Sequence, residues 1–129
     1  MVIDSSALVA IFRLESEAER FNDLIARSPQ KVISAPTALE TFMVLSRTYG
    51  PAVSEKLDLY LSEAAIRTIP FTADHLAVAR EAFLRYGKGR HPASLNFGDC
   101  ITYATARLEA MPLLFKGEDF RLTDIEAAA

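Results

Sequence analysis

Four carboxylates in this chain fall where chemistry explains them at least as well as structure does: Asp4, Glu40, Asp99 and Asp119. Asp4 ends the apolar opening and leads into two hydroxyls, in VIDSSAL. Glu40 stands among Leu39, Phe42, Met43, Val44 and Leu45, which leave a carboxylate little polar face. Burying an unpaired charge is costly, so Glu40 needs a cation or a proton, and Arg47, seven residues on, is its structural alternative. Asp99 follows Gly98 in NFGDCITYA, and Asp119 follows Gly117 in FKGEDF. Singly, each of these three aspartates has an ordinary reading. Asp4 would cap a helix, Asp99 would satisfy helix N–H groups and the dipole, and Asp119 would sit in a turn. Brought together, all four would repel one another, and their pKa values would rise until a divalent cation relieved the strain. Magnesium prefers carboxylate oxygens plus retained waters, and manganese suits similar oxygen-rich sites. His75 and His91 are isolated and the single Cys100 reads as core, so no zinc site is expected. The reaction that calls for such a cluster is phosphodiester hydrolysis. There a metal activates water and neutralises the attacking and leaving oxygens.

The four acids are far apart in the chain, so the elements between them must bring them together. Val2-Ile3 reads as a short strand and SSALVAIF as a helix with Ser5 or Ser6 near its cap. A second helix runs from Glu15 to Arg27. Lys31 to Ser34 is a second strand, and Pro36 suits the first turn of a helix continuing to Gly50. Another helix follows from Pro51 to about Ala65, then a strand over Ile66 to Ile69. Ala73 to Tyr86 reads as a helix with Leu76, Ala79 and Phe83 facing inward and Asp74 at its cap. GKGRHPASLNFG is the one extended loop. Cys100 to Leu108 is helical, Leu113 to Phe115 a fourth strand, and RLTDI has the pattern of a short fifth.

Strands alternating with helices imply one α/β domain over residues 1–129, with a parallel sheet of four to five short strands covered on both faces. Ligands of such sheets gather beyond the carboxyl ends of the strands. Asp4 follows the first strand, Glu40 lies in the second turn after the second, Asp119 follows the fourth, and Asp99 opens the helix that feeds the fourth. All four are therefore expected on one edge.

The chain is 129 residues long, half of them hydrophobic, with a formal net charge of −3. That length supports a real core without disulfides. The apolar surplus allows for an extra interface, with a second copy or a partner. A net negative charge argues against a general nucleic-acid coating surface, but not against a nuclease whose bound cations reverse the local sign. One cysteine fits a reducing compartment. No apolar run approaches the ~20 residues of a membrane span, and Asp4 and Ser5 interrupt any signal-peptide pattern, so a cytoplasmic location is expected. The loop Gly87-Lys88-Gly89-Arg90-His91 is the only concentrated basic stretch. It reads either as an exposed turn or as a place where Lys88 and Arg90 hold an RNA backbone. GKGR lacks the spacing and trailing Ser or Thr of a P-loop.

In order and spacing, VIDSSAL, SAPTALE, LNFGDCITYATA and LLFKGEDFRLTDI resemble a PIN-domain ribonuclease of the VapC toxin type, nearly end to end. The resemblance implies a three-layer fold and a Mg2+- or Mn2+-dependent endoribonuclease. It also implies a homodimer and inhibition by a small VapB-type antitoxin that covers the acidic pocket. By position, Asp4, Glu40 and Asp99 carry over as the core acids and Asp119 as the fourth, with Glu118 beside it as a rival. Asp4 and Asp99 are the expected direct metal ligands, while Glu40 would bind metal or orient water. Ser6 matches a small hydroxyl position near the family's site. An acid-cluster DNA nuclease is the nearest alternative. A receiver-like regulatory domain, which Lys116 after LLF brings to mind, lacks an aspartate at the end of its third strand.

Overall fold

The computed structural model describes residues 1–129. Four short strands, β1 (Val2–Ile3), β2 (Val32–Ser34), β3 (Arg67–Ile69) and β4 (Leu113–Leu114), form one sheet in the order β3-β2-β1-β4, and every pairing is parallel. Parallel neighbours require crossovers, here supplied by α1 (Ser5–Phe12), α2 (Ala18–Arg27), α3 (Ala35–Tyr49), α4 (Val53–Glu63), α5 (Ala73–Tyr86) and α6 (Phe97–Glu109).

The pleat sorts the strand residues between two cores, because successive side chains point to opposite faces. Ile3, Ile33 and Leu114 join Leu8, Phe21, Ile25, Leu57 and Leu61 from α1, α2 and α4. Val2, Val32, Ile69 and Leu113 join Ala82, Tyr86, Tyr103 and Ala106 from α5 and α6. The result is the expected three-layer arrangement. β3 is an edge strand whose Arg67 and Thr68 face solvent.

The chain order runs outward from β1 to β3 and then jumps to β4 on the other side of β1. The reversal between β1 and β4 creates the crevice in which open α/β sheets bind ligands. This order differs from the 2-1-3-4-5 arrangement of receiver-type domains, which removes that alternative. Lys116, the residue that prompted it, is held by Glu15 and Glu17.

Three local expectations are corrected. RLTDI is not a strand: residues Asp119–Leu122 form a 3-10 turn, and the tail touches the sheet only through a single bridge between Leu113 and Ala127. The inner face of α5 is His75, Ala82 and Tyr86, while Leu76 and Phe83 are 46% and 44% exposed. The helix is rotated so that Tyr86 meets Tyr103 of α6. Its cap is Thr72 in a reciprocal box with His75, not Asp74.

Candidate active site

Asp4 is the N-cap of α1 and also lies directly beyond β1. Its backbone N–H donates to the Leu114 carbonyl of β4 at 2.9 Å, which pins it at the reversal point. The side chain is buried, with the residue only 4% exposed, and both its oxygens are engaged. Oδ2 accepts from the Ser6 N–H at 3.1 Å and the Ser6 hydroxyl at 2.6 Å. Oδ1 accepts from the Thr102 hydroxyl at 2.7 Å. Capping and site geometry are thus the same set of contacts. Ser6 reaches further, because its Oγ accepts the Lys116 N–H at 2.9 Å and ties the residue after β4 to Asp4.

Asp99 is the third residue of α6, which starts at Phe97, earlier than the sequence pattern implied. Asn96 stops the loop by forming a capping box. The Asn96 side-chain oxygen accepts from the Asp99 N–H at 2.9 Å, and Asp99 Oδ2 accepts from the Asn96 N–H at 3.0 Å. One Asp99 oxygen is therefore committed to the cap, and Oδ1 makes no hydrogen bond within the chain. Burial pushes the Asp99 carboxyl up to about 6. The Asn96 N–H pulls against that shift, and the charges of Asp4, Asp119 and Glu40 add to it. Carboxylates from three other segments thus act on Asp99.

Glu40 is half-buried in α3 and its carboxyl is also raised, by burial first and by Asp4, with the Ser5 hydroxyl opposing. Its carboxylate lies against the backbone of Gly98, where an added Cβ would stand 2.9 Å from Oε1 and closer still to Oε2. Arg47 lines the same cleft but makes no ion pair with Glu40, so the structural alternative for this acid is not realised. Asp119 is exposed at the start of the 3-10 turn, reached through Gly117 at φ +108, a left-handed conformation that favours glycine. Glu118 points elsewhere: its side chain is 82% exposed and pairs with Arg121 at 3.4 Å. Of the two neighbours, Asp119 is the one whose charge bears on Asp99.

The donor set suits a hard cation. It holds carboxylate and hydroxyl oxygens only, and its like charges already push against one another. His91 Nδ1 accepts the Ala93 N–H and His75 Nδ1 the Thr72 N–H, both at 3.0 Å. The buried Cys100 thiol is pushed up to about 11 by burial and by Asp99, so it stays protonated. No three His, Cys, Asp or Glu side chains close into a ready-made cage.

Two clefts meet at Pro36, Phe97 and Ile101. One, about 680 Å³, is lined by Phe71, Leu76, Phe83, Leu84 and Phe97. The other, about 470 Å³, runs past Leu39, Met43 and Phe97 to Glu40. Phe97 belongs to both and is 84% exposed. Here lies the apolar surplus of the composition. Lys88 and Arg90 are exposed on the loop after α5, and the Arg90 guanidinium sits 5.5 Å from the centre of the Phe83 ring beside the larger cleft. Sequence reasoning did not single out Thr102, Thr37, Ser34 or the packing role of Gly98. The only signal was the spacing of Thr102 three residues after Asp99, one face of a helix.

A family model described as the PIN domain matches residues 1–126. The chain belongs to the PIN-domain family. Its likeness extends to proteins named as VapC ribonucleases. Ribonuclease VapC of Mycolicibacterium smegmatis is 47% identical over 127 residues, covering 98% of each chain. Ribonuclease VapC30 of Mycobacterium tuberculosis is 45% identical over 129 residues, covering 100% of this chain and 98% of its own. Among solved structures, Mycobacterium tuberculosis VapC20, described as a sarcin-ricin loop cleaving toxin, matches with a TM-score of 0.77 at 19% identity over 96% of this chain and 95% of that one. A toxin-antitoxin complex from Klebsiella pneumoniae matches with a TM-score of 0.70 at 23% identity over 92% and 88%. At such identities the structural likeness is one of fold. In this PIN domain Asp4 and Asp119 follow β1 and β4, the two strands between which the strand order reverses.

Proposed function

We propose that this PIN domain is a Mg2+- or Mn2+-dependent endoribonuclease, the toxin of a toxin–antitoxin pair. The observation that carries the reading is geometric: Asp4 is buried directly beyond β1, Asp99 stands in the first turn of α6, and the Glu40 carboxylate lies against Gly98 between Asn96 and Asp99. Asp4 and Asp99 are the direct ligands in this reading, one from the end of β1 and one from the first turn of α6, which packs over β1 and β2. Bound there, a divalent cation supplies an activated water and offsets the phosphate charge. Glu40, held against Gly98, orients the attacking water or adds an oxygen to the cation. Asp119 completes the negative rim, and Ser6 keeps the Asp4 carboxylate in place. Lys88 and Arg90 contact the RNA backbone on the way to the acids.

The names of the relatives support the substrate, and the Klebsiella pneumoniae complex supports a protein partner. The antitoxin lays an apolar segment along Leu76, Phe83, Leu84 and Phe97 and extends a basic side chain toward the acids. A homodimer uses part of the remaining exposed apolar surface. No helix is long and apolar enough to cross a membrane, and the reading assigns the protein to the cytoplasm.

Purified protein with Mn2+ should cleave RNA, stop in excess chelator, and resume when Mn2+ or Mg2+ is restored. Asp4→Ala and Asp99→Ala should each lose cleavage by at least about 100-fold, in proportion to a transition-state loss of ~3 kcal/mol, while circular dichroism still shows a folded chain. Asp119→Asn should lose activity and Glu118→Gln should not. Folded Asp4→Ala and Asp99→Ala variants that cut normally would remove the acid cluster as the active site. Cleavage of DNA but of no RNA would make the protein a DNA nuclease instead.

A further inference from the structure

Behind Asp4 runs a line of hydroxyls that no part of the reaction uses directly. Ser34, the last residue of β2 and cap of α3, donates its hydroxyl to Thr37 Oγ1 at 2.8 Å. Thr37 Oγ1 lies 3.5 Å from Thr102 Oγ1, and Thr102 is 2.7 Å from Asp4 Oδ1. An ionised carboxylate only accepts, so the Thr102 proton points at Asp4, which leaves Thr37 as the only available donor across the long contact before it. The direction of the whole line follows: Ser34 to Thr37 to Thr102 to Asp4.

The two threonines are buried, Thr102 at 1% and Thr37 at 2% exposure. Each stands three residues from an acid on its own helix: Thr37 from Glu40 on α3, Thr102 from Asp99 on α6. Thus α3 and α6 each bring one acid to the rim and one hydroxyl to the base of the same site. Valine has nearly the shape of threonine and would fill these buried slots without a hydroxyl to satisfy. A threonine at each slot therefore points to the hydroxyl.

We propose that Thr102, backed by Thr37, is a positioning residue that sets the plane of the Asp4 carboxylate for cation binding. It rests on the reading of Asp4 as a metal ligand. The donated proton occupies one lone pair of Oδ1 and fixes rotation about the carboxylate bond, while Ser6 holds Oδ2 from the other side. The cation then meets a carboxylate with one orientation. Partners behind metal ligands of this kind change metal affinity by roughly 10–100-fold when removed.

Calorimetric titration of the RNA-free full chain with MnCl2 tests this directly. Thr102→Val should weaken Mn2+ binding at least about tenfold, and Thr102→Ser, which keeps the hydroxyl, should restore affinity to within about threefold of the parent chain. A hydroxyl that serves only the fold predicts a lower melting temperature in chelator with Mn2+ affinity unchanged. A folded Thr102→Val chain that binds Mn2+ within twofold of the parent overturns the proposal. Should Thr102→Val not fold, Thr37→Val and Thr102→Ser decide it: the first must weaken Mn2+ binding and the second must retain it, and any other pattern overturns the inference. Failure of the parent chain to bind Mn2+, with Asp4→Ala no different, overturns the metal reading as well. Normal binding lost in Asp4→Ala but kept in Thr102→Val removes only the role of Thr102.

Discussion

Asp99 gives one oxygen to the Asn96 backbone, and its carboxyl is pushed up to about 6 from its ordinary 3.8, first by burial and then by three like charges. Between those two values the unfolded chain has released a proton that the folded chain keeps. Stability therefore falls as pH rises through this window, and the full penalty stands above about 6. Asp99→Asn keeps an oxygen for the capping box and removes the charge. In excess chelator at pH 7.5 it should melt a few degrees above the parent chain, with the advantage gone by about pH 4. Adding Mn2+ should raise the melting temperature of the parent and leave Asp99→Asn nearly unmoved. Scanning fluorimetry across pH with and without Mn2+ checks both, and an Asn variant no more stable than the parent at pH 7.5 would contradict the crowding of charge.

At the scale of elements, the start of α6 does the most to shape the site. Asn96 begins the helix early enough to place Asp99 in its first turn, and Gly98 between them leaves room for the Glu40 carboxylate from α3. The atoms that a Cβ would meet belong to the far end of a flexible side chain, so the fold can yield by moving Glu40. Gly98→Ala should thus leave the melting temperature close to the parent value, since alanine also favours the helix. Cleavage should fall by about tenfold or more as Glu40 is displaced, a change of ~1.4 kcal/mol. Comparing kcat/KM with the melting curve separates the two effects; unaltered cleavage would mean that the position of Glu40 is not critical. α5 teaches a related lesson, because its rotation turns Leu76, Phe83 and Leu84 outward to line the larger cleft.

Over the whole molecule the charge is −3, with an acidic cluster at one edge and the basic loop of Lys88 and Arg90 beside an apolar cleft. The loop is not loose: Gly87 bridges Leu95, and Ala93 and Leu95 are buried. Its backbone is therefore held at a defined place, and the proposed function has its two cations meet RNA phosphates there. In an Asp4→Ala background, replacing both Lys88 and Arg90 with alanine should weaken binding of single-stranded RNA. It should also lower the slope of log affinity against log salt by about 1.4, at ~0.7 per phosphate contact. Fluorescence anisotropy between about 50 and 200 mM salt measures it. An unchanged slope would place the RNA elsewhere.

The order of strands and helices and the parallel character of the sheet were legible in the amino-acid sequence. So was the arrival of Asp4, Glu40, Asp99 and Asp119 at one edge. These depend on local periodicity and on the rule that crossovers return to the same end of a sheet. Tertiary structure alone decided which way each helix is turned and which of two adjacent carboxylates pairs with Arg121. Glu118 and Asp119 are equivalent in sequence until Arg121 takes one and the charge field around Asp99 receives the other. The tail RLTDI carries a strand-like pattern, yet its chain turns at Asp119 and meets the sheet only at Ala127. The Thr37–Thr102 contact spans 65 residues and the Thr102–Asp4 bond spans 98. Neither leaves a periodic trace, because a hydrogen bond between distant segments depends on how α3 and α6 pack against β1, a property of the assembled layers and of no single stretch of chain.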